Sequence, residues 1–313
     1  MSSPSIKRII GLSACCLLTT LWACDSFTFT FSFVTPKTAE AAATETVAIP
    51  GGARLVVNNE IGSTRVTVDP GATQLTVEIT RIALAEDQAE ADDLLTKIIV
   101  TITEAADQIT IDAPKPAEAT GVDTDFSFEL VDDELNITGI VNSRRVAVVN
   151  LRITIPPAHQ VEVTNYNGAI RAVDLDAASV LTSHNGRIHT IDATAALSLE
   201  TYNGGIEVEG QRGSLDAETH NGGLEIEVRT LAAGQHVIGR THNGRVELNL
   251  PSDIDAELSA ETDNGPIEFE NGDWDNVSNV SWTSWHELAA TLNDGGPSID
   301  VSTNNGRVEI DSY

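Results

Sequence analysis

Seven of the eight Asn-Gly pairs in this 313-residue chain open a short run in which apolar and polar residues alternate. The first four pairs recur at a constant interval of 18 residues, and the later intervals are 22, 21 and 41 residues. A constant interval of this length indicates stacked copies of one structural unit. The seven asparagines are Asn167, Asn185, Asn203, Asn221, Asn243, Asn264 and Asn305.

The residues around each asparagine keep their chemical type from copy to copy. The third residue after it is always Ile, Leu or Val, the fifth is apolar in most copies, and the residue between them is polar. The second residue before it is Asn, Ser or Thr, which can hydrogen-bond beside a turn. Because this alternation is strand periodicity and Asn-Gly tolerates positive φ, each copy is predicted to hold two short strands and two turns.

One such copy is too short to bury its own apolar face, so the copies must stack. If each copy is one coil, equivalent residues of successive coils pair in parallel about 4.8 Å apart. The sequence therefore predicts an all-β fold with a β-solenoid of about 18–22-residue coils over residues 156–313. A meander of hairpins with type I′ Asn-Gly turns is the alternative, although it requires no constant interval.

The N-terminus has the features of a secretion signal. Lys7 and Arg8 precede the apolar stretch from Ile9 to Ala23, which is short for a transmembrane span. Residues 1–23 are therefore predicted to be a signal peptide.

The end of this stretch, Leu21-Trp22-Ala23-Cys24, resembles the bacterial lipoprotein lipobox. The resemblance implies a diacylglycerol thioether on Cys24, and two acyl chains suffice for stable membrane anchoring. Leu12-Ser13-Ala14-Cys15 matches the motif more closely, but almost no apolar run precedes it. Ordinary cleavage that leaves a free thiol at Cys24 is the alternative.

We therefore expect a protein secreted across the inner membrane and lipid-anchored in the cell envelope. Asp25 resembles the inner-membrane retention signal of some enteric bacteria. The outer membrane is the alternative location. Residues 24–45 are interpreted as a lipid-anchored linker. Residues 46–155 are predicted to form a less regular β region, in which a helix over 83–97 caps one end of the solenoid.

The formal net charge is −29, which makes nucleic acid and anionic lipid headgroups poor partners. Divalent cations or cationic surfaces are compatible with this charge, and solubility alone also explains it. Nothing in the sequence indicates a cofactor.

Three residues form the candidate metal site. His220, His242 and Asp263 each stand immediately before an Asn-Gly pair, so stacking in sequence order would place them on consecutive coils. Two imidazoles and one carboxylate at that spacing could bind a transition metal. Packing of the rings as a plain stack is the alternative.

The interval of 41 residues contains Trp274, Trp282 and Trp285. Three tryptophans in one insertion can form a platform that binds a protein or a sugar. They can equally form the apolar plug of the C-terminal end.

Three motifs in order resemble the putative-adhesin family of bacterial β-strand-repeat domains of unknown function. They are the stretch from Ile49 to Gly62, the strand that ends Leu151-Arg152-Ile153-Thr154-Ile155-Pro156, and the Asn-Gly repeats. The resemblance implies a secreted or membrane-anchored right-handed β-solenoid, similar to a parallel β-helix, without known catalytic residues.

Function follows from these patterns as an expectation. We predict a non-enzymatic, adhesin-like interaction scaffold that binds an unidentified envelope or extracellular protein or glycan. A secreted polysaccharide-active β-helix enzyme is one alternative, since such enzymes act on sugars through paired carboxylates. A metal-binding envelope protein is the other.

Overall fold

The computed structural model describes residues 37–119, 127–131, 134–138, 145–269 and 274–313. The predicted signal peptide and Cys24 lie outside these residues. The described part of the chain contains strands and one helix. The elements before the repeats are β1 (Lys37–Val47), β2 (Arg54–Ile61), β3 (Thr64–Val68), β4 (Leu75–Ala85), α1 (Gln88–Lys97), β5 (Thr101–Glu104), β6 (Gln108–Ala113), β7 (Ser127–Val131), β8 (Glu134–Thr138) and β9 (Arg145–Ile155).

Each Asn-Gly copy contributes two strands, one on either side of its turn. The first strand ends at the asparagine, and the second begins three residues after it. In chain order these strands are β10 (Val161–Asn167), β11 (Ile170–Val173), β12 (Ser179–Asn185), β13 (Ile188–Ile191), β14 (Leu197–Asn203), β15 (Ile206–Gln211), β16 (Leu215–Asn221), β17 (Leu224–Val228), β18 (His236–Asn243), β19 (Val246–Leu250), β20 (Ala256–Asn264), β21 (Ile267–Phe269), β24 (Ser298–Asn305) and β25 (Val308–Ser312), with β22 (Val277–Ser284) and β23 (Glu287–Leu292) between the last two copies.

The two strands of each copy join two different sheets. Sheet A has 11 strands in the order β1-β4-β9-β3-β11-β13-β15-β17-β19-β25-β21, and sheet B has 12 in the order β22-β23-β20-β24-β18-β16-β14-β12-β10-β2-β6-β5. Equivalent residues of neighbouring copies are partners in parallel, as Asn167 is with Asn185 and Ile170 with Ile188. The hairpin meander is therefore wrong.

The predicted apolar columns form the core between the sheets. The column three residues after each asparagine is buried in every copy, and buried side chains of both sheets join one cluster. The members of that column are Ile170, Ile188, Ile206, Leu224, Val246, Ile267 and Val308. Alternation along each strand thus separates the core from the outward faces.

Part of the region before residue 155 is a further copy of the repeat. Strand β2 is parallel to β10 with Ile61 opposite Asn167, and β3 is parallel to β11. Gly62 occupies the position of the turn glycine, and its carbonyl oxygen accepts a bond from the Asn165 side chain at 3.1 Å. Comparison of the Asn-Gly motifs does not detect this copy, because Ile61 stands where the other copies have asparagine.

The N-terminal end differs from the sequence prediction in two elements. Residues 37–45 of the predicted linker belong to β1, which pairs antiparallel with β4. The helix begins at Gln88 instead of residue 83, because Ala83 to Ala85 complete β4 against β9. Asp87 caps the helix, because its side chain accepts a hydrogen bond from the backbone amide of Glu90 over 2.8 Å. Leu94 is fully buried in the core cluster, so the helix packs against the core at this end.

The last copies do not stack in sequence order. Strand β24 lies between β18 and β20, and Asn305 has both Asn243 and Asn264 as parallel partners. On its other side β20 pairs antiparallel with β23 of the β22–β23 hairpin. Because the hairpin occupies that edge, the final copy fills the position between the two preceding ones.

Candidate functional site

The asparagines form one hydrogen-bonded ladder along the turns. The side-chain amide of each donates to the side-chain oxygen of its neighbour over 2.8–3.1 Å. The order in space is Asn167, Asn185, Asn203, Asn221, Asn243, Asn305 and Asn264. This asparagine ladder fixes the register at which the neighbouring columns meet.

A second polar column supports the turns from inside. The hydroxyl of Thr219 donates to the carbonyl oxygen of Gly204 in the neighbouring copy over 2.8 Å, and Thr201 does the same to Gly186 over 2.9 Å. The sequence predicted hydrogen bonding beside the turn here, and the structure places it between copies. The corresponding donors in the remaining copies are Asn165, Ser183, Thr241, Thr262 and Thr303.

Five rings stack immediately beside the asparagine ladder on the outward face of sheet B. Their centroids are 4.7–5.3 Å apart and their planes lie within 16° of parallel. All five side chains are exposed. This ring column consists of Tyr166, His184, Tyr202, His220 and His242.

The stacking decides which part of each ring a partner can reach. Within the column each ring face is covered by the next ring, so mainly the ring edges meet solvent. These edges carry the phenol hydroxyls and imidazole nitrogens, which donate and accept hydrogen bonds. Stacking of a sugar on an open ring face is therefore disfavoured along this column.

The predicted metal site is not assembled. His220 and His242 stack at 4.8 Å, but Asn304 lies between His242 and Asp263. Asn304 contacts His242 Nδ1 at 3.1 Å and donates to the Asp263 carboxylate over 2.7 Å. The placement of Asp263 beside His242 is wrong because the final copy intervenes.

An acidic row runs along the same outward face, two residues before the rings. Glu200 and Glu218 are parallel partners, both are exposed, and Arg240 follows Glu218. Asp216 adds a further carboxylate on this face and contacts His236 at 3.4 Å. Together the ring edges and carboxylates form a hydrogen-bonding surface of negative character.

The outward face of sheet A carries a glutamate column four residues after the asparagines. Arginines two residues earlier in the copies offset its charge. Arg187 pairs with Glu207, Arg245 with Glu247 at 2.6 Å, and Arg307 with Glu309 at 2.6 Å and Glu268 at 3.6 Å. Such exposed pairs contribute little stability, about 0–1 kcal/mol each.

Sequence reasoning missed one group on this face. Among the described residues, His189, Glu207 and Glu209 have ligand atoms within 4.8 Å of one another. Burial lowers the pKa of His189, the hydrogen bond with Glu209 opposes this effect, and the positive charges of Arg171 and Arg187 add to it. The repeat interval could have identified this group, because Glu207 and Glu209 follow His189 by 18 and 20 residues and residues at these spacings become neighbours in adjacent copies.

The three tryptophans do not form one platform. Trp274 is buried in the core and packs against Phe269 with ring centroids 5.8 Å apart, so it acts as the predicted plug. Trp282 and Trp285 stay exposed on or beside the hairpin at 46% and 81%, and Trp285 stacks on His286. The assignment of Trp274 to a partner-binding platform is therefore wrong.

Within the described part of the chain, no helix is both long and apolar enough to cross a membrane. No family model and no curated protein matches the sequence.

The solved structures that are similar to this chain include three adhesion-related proteins. They are a putative cell adhesion protein from Clostridium sporogenes ATCC 15579 (TM-score 0.37, 10% identity, 89% of this chain and 100% of that one), a putative adhesin from Bacteroides fragilis NCTC 9343 (0.38, 9%, 87% and 97%), and a putative adhesin from Parabacteroides merdae ATCC 43184 (0.30, 9%, 86% and 96%). At these scores the likeness supports no functional conclusion.

Proposed function

We propose that the protein is a lipid-anchored, non-enzymatic β-solenoid that acts as an adhesin-like scaffold. Its docking face is the ring column with the acidic row beside it. The observation that carries the proposal is the unbroken repetition of exposed hydrogen-bonding groups over five neighbouring copies. A surface of this kind suits an extended partner better than a small molecule. The solenoid assignment rests on the regular alternation of consecutive strands between two parallel sheets.

The partner we propose is an envelope or extracellular protein or glycan whose contact surface carries positive charge. The support is the negative charge beside the rings at Glu200, Glu218 and Asp216, together with a net charge of −29. Charge complementarity of this kind steers association and excludes partners of like charge. Binding should therefore weaken as salt screens these carboxylates.

A non-enzymatic role is proposed because the carboxylates recur evenly along columns. An active site on a repeat protein needs a local break where acids and bases converge. The polysaccharide-active alternative predicts turnover of an acidic polysaccharide that is abolished by a single carboxylate substitution, and such turnover would replace this proposal.

Site-specific photo-crosslinking tests the docking face. A benzoylphenylalanine at position 202, where Tyr202 is half-exposed, is expected to give an adduct in intact cells. The matched control is position 225, since Glu225 is exposed on the outward face of sheet A. Adducts of equal pattern at both positions, or none at position 202, would contradict the proposed face.

Anchoring is tested separately through the cysteines. We expect Cys24→Ser to release the chain from the membrane fraction into the soluble fraction, because the acylated thiol is lost. Cys15→Ser is the control, since it alters the competing motif, and it should leave the chain in the membrane. Retention of the Cys24→Ser chain in the membrane would count against the lipid anchor.

A further inference from the structure

His189, Glu207 and Glu209 are brought together by the parallel register of β13 and β15. His189 is the direct partner of Glu207, and Ile191 is the partner of Glu209. Side chains two residues apart on a strand share a face, so all three lie on the outward face of sheet A. Each is partly buried, and the strands that hold them are internal to an 11-stranded sheet. The group therefore has a rigid support.

The distances among the donor atoms suit a small metal ion. His189 Nε2 lies 2.9 Å from Glu209 Oε1 and 3.9 Å from Glu207 Oε2. Zinc binds nitrogen and oxygen donors at about 2.0–2.1 Å, so two donors of a tetrahedral site are roughly 3.3 Å apart. The observed separations bracket that value. From this geometry we propose that His189, Glu207 and Glu209 bind one zinc-like divalent transition-metal ion, whose fourth position is open to water.

The charge states are compatible with such an ion. A metal ligand must be a neutral imidazole or an ionised carboxylate. The imidazole must carry its proton on Nδ1, which leaves the Nε2 lone pair free for the metal. One His and two carboxylates balance the charge of a divalent ion.

Arg187 is the competitor for this site. Its guanidinium pairs with Glu207 Oε2, the atom assigned to the metal. The Arg187 side chain is 57% exposed, so it can move into solvent when the ion binds. Replacing Arg187 by Gln should accordingly strengthen metal binding, whereas a purely structural His–Glu–Arg cluster has no reason to gain metal affinity from that change.

Zinc titration of the full chain tests the proposal. The protein is prepared without a polyhistidine tag, its free thiols are alkylated because thiolates also bind zinc, and excess Mg²⁺ is added to occupy the acidic columns. We expect saturable binding of one Zn²⁺ by calorimetry, at least about tenfold weaker in His189→Asn and in Glu209→Gln. Co²⁺ bound to the wild-type chain should give the visible absorption bands of a four-coordinate site.

His236→Asn is the matched control. His236 also contacts a carboxylate, Asp216 at 3.4 Å, but no third ligand joins them among the residues that the structure describes. Its affinity for Zn²⁺ should equal that of the wild-type chain. Absence of saturable binding, equal affinity in His189→Asn and Glu209→Gln, or loss in His236→Asn instead would overturn the proposal. Thermal melting without metal verifies that each variant is folded.

Discussion

Gly204→Ala is expected to destabilise the protein by about 4 kcal/mol or more, at the upper end of single-substitution effects. The turn glycines of neighbouring copies are in backbone contact. A Cβ at Gly204 would lie 2.2 Å from the carbonyl oxygen of Gly186 and 2.6 Å from its carbonyl carbon. The turn at Gly186 is held between two strands that are internal to their sheets, so its backbone cannot move aside, and the asparagine ladder and the adjacent copies must separate. The thermal midpoint should fall by roughly 8 °C or more.

The next residue provides the control for this prediction. A Cβ at Gly205 would be 3.4 Å from the nearest atom, which is ordinary van der Waals contact. Gly205→Ala should therefore change the thermal midpoint by a few degrees at most. If the two variants melt alike, close approach of the backbones is not what requires glycine at this turn.

The same constraint extends along the whole stack. A Cβ on each turn glycine would lie 1.9–2.2 Å from a backbone oxygen, which belongs to the turn glycine of the neighbouring copy or, for Gly62, to Val149 of β9. The glycines concerned are Gly62, Gly168, Gly186, Gly204, Gly222, Gly244, Gly265 and Gly306. The Asn-Gly pair thus combines two functions, since the asparagine bonds to its neighbour and the glycine permits the spacing that this bond needs.

The interior of the repeat could be predicted from sequence because it depends on local periodicity. Ile188 and Ile206 face the core for the reason that alternation gives, and Thr201 bonds beside its turn as expected. The copy that contains Gly62 was hidden, because Ile61 breaks the motif while the backbone keeps it. Motif comparison detects residue types, whereas stacking requires only the backbone path and a glycine.

Site residues were harder to predict, because they depend on which copies are neighbours. His189 and Glu209 meet only through the stacking of two copies. Asp263 fails to meet His242 because sequence order and spatial order diverge there. Periodicity gives the internal geometry of each copy, but it contains no information on which edge of the stack a hairpin between two copies occupies.

Val301→Asp is expected to destabilise the last copies strongly, because the final copy lies between the two copies that precede it in the chain. Val301 is 2% exposed and lies opposite Gly239 of β18 and Ala260 of β20. Its side chain fills the space that Gly239 leaves, since a Cβ on that glycine would be 3.3 Å from Val301 Cγ1. An unpaired carboxylate there costs several kcal/mol.

The consequence should reach residues that precede Val301 in the chain. In sheet B, strand β20 and the hairpin join the stack through β24, so amides of 256–264 and 277–292 should exchange roughly a hundredfold faster in Val301→Asp. Amides of 197–221, several strands away, should keep their protection. Asp300→Asn, on the exposed face of the same strand, should leave all these segments unchanged.

If the copies instead stacked in sequence order, β20 would pair with β18 directly, and its amides would stay protected in Val301→Asp. Hydrogen exchange measured by mass spectrometry therefore distinguishes an inserted final copy from an appended one.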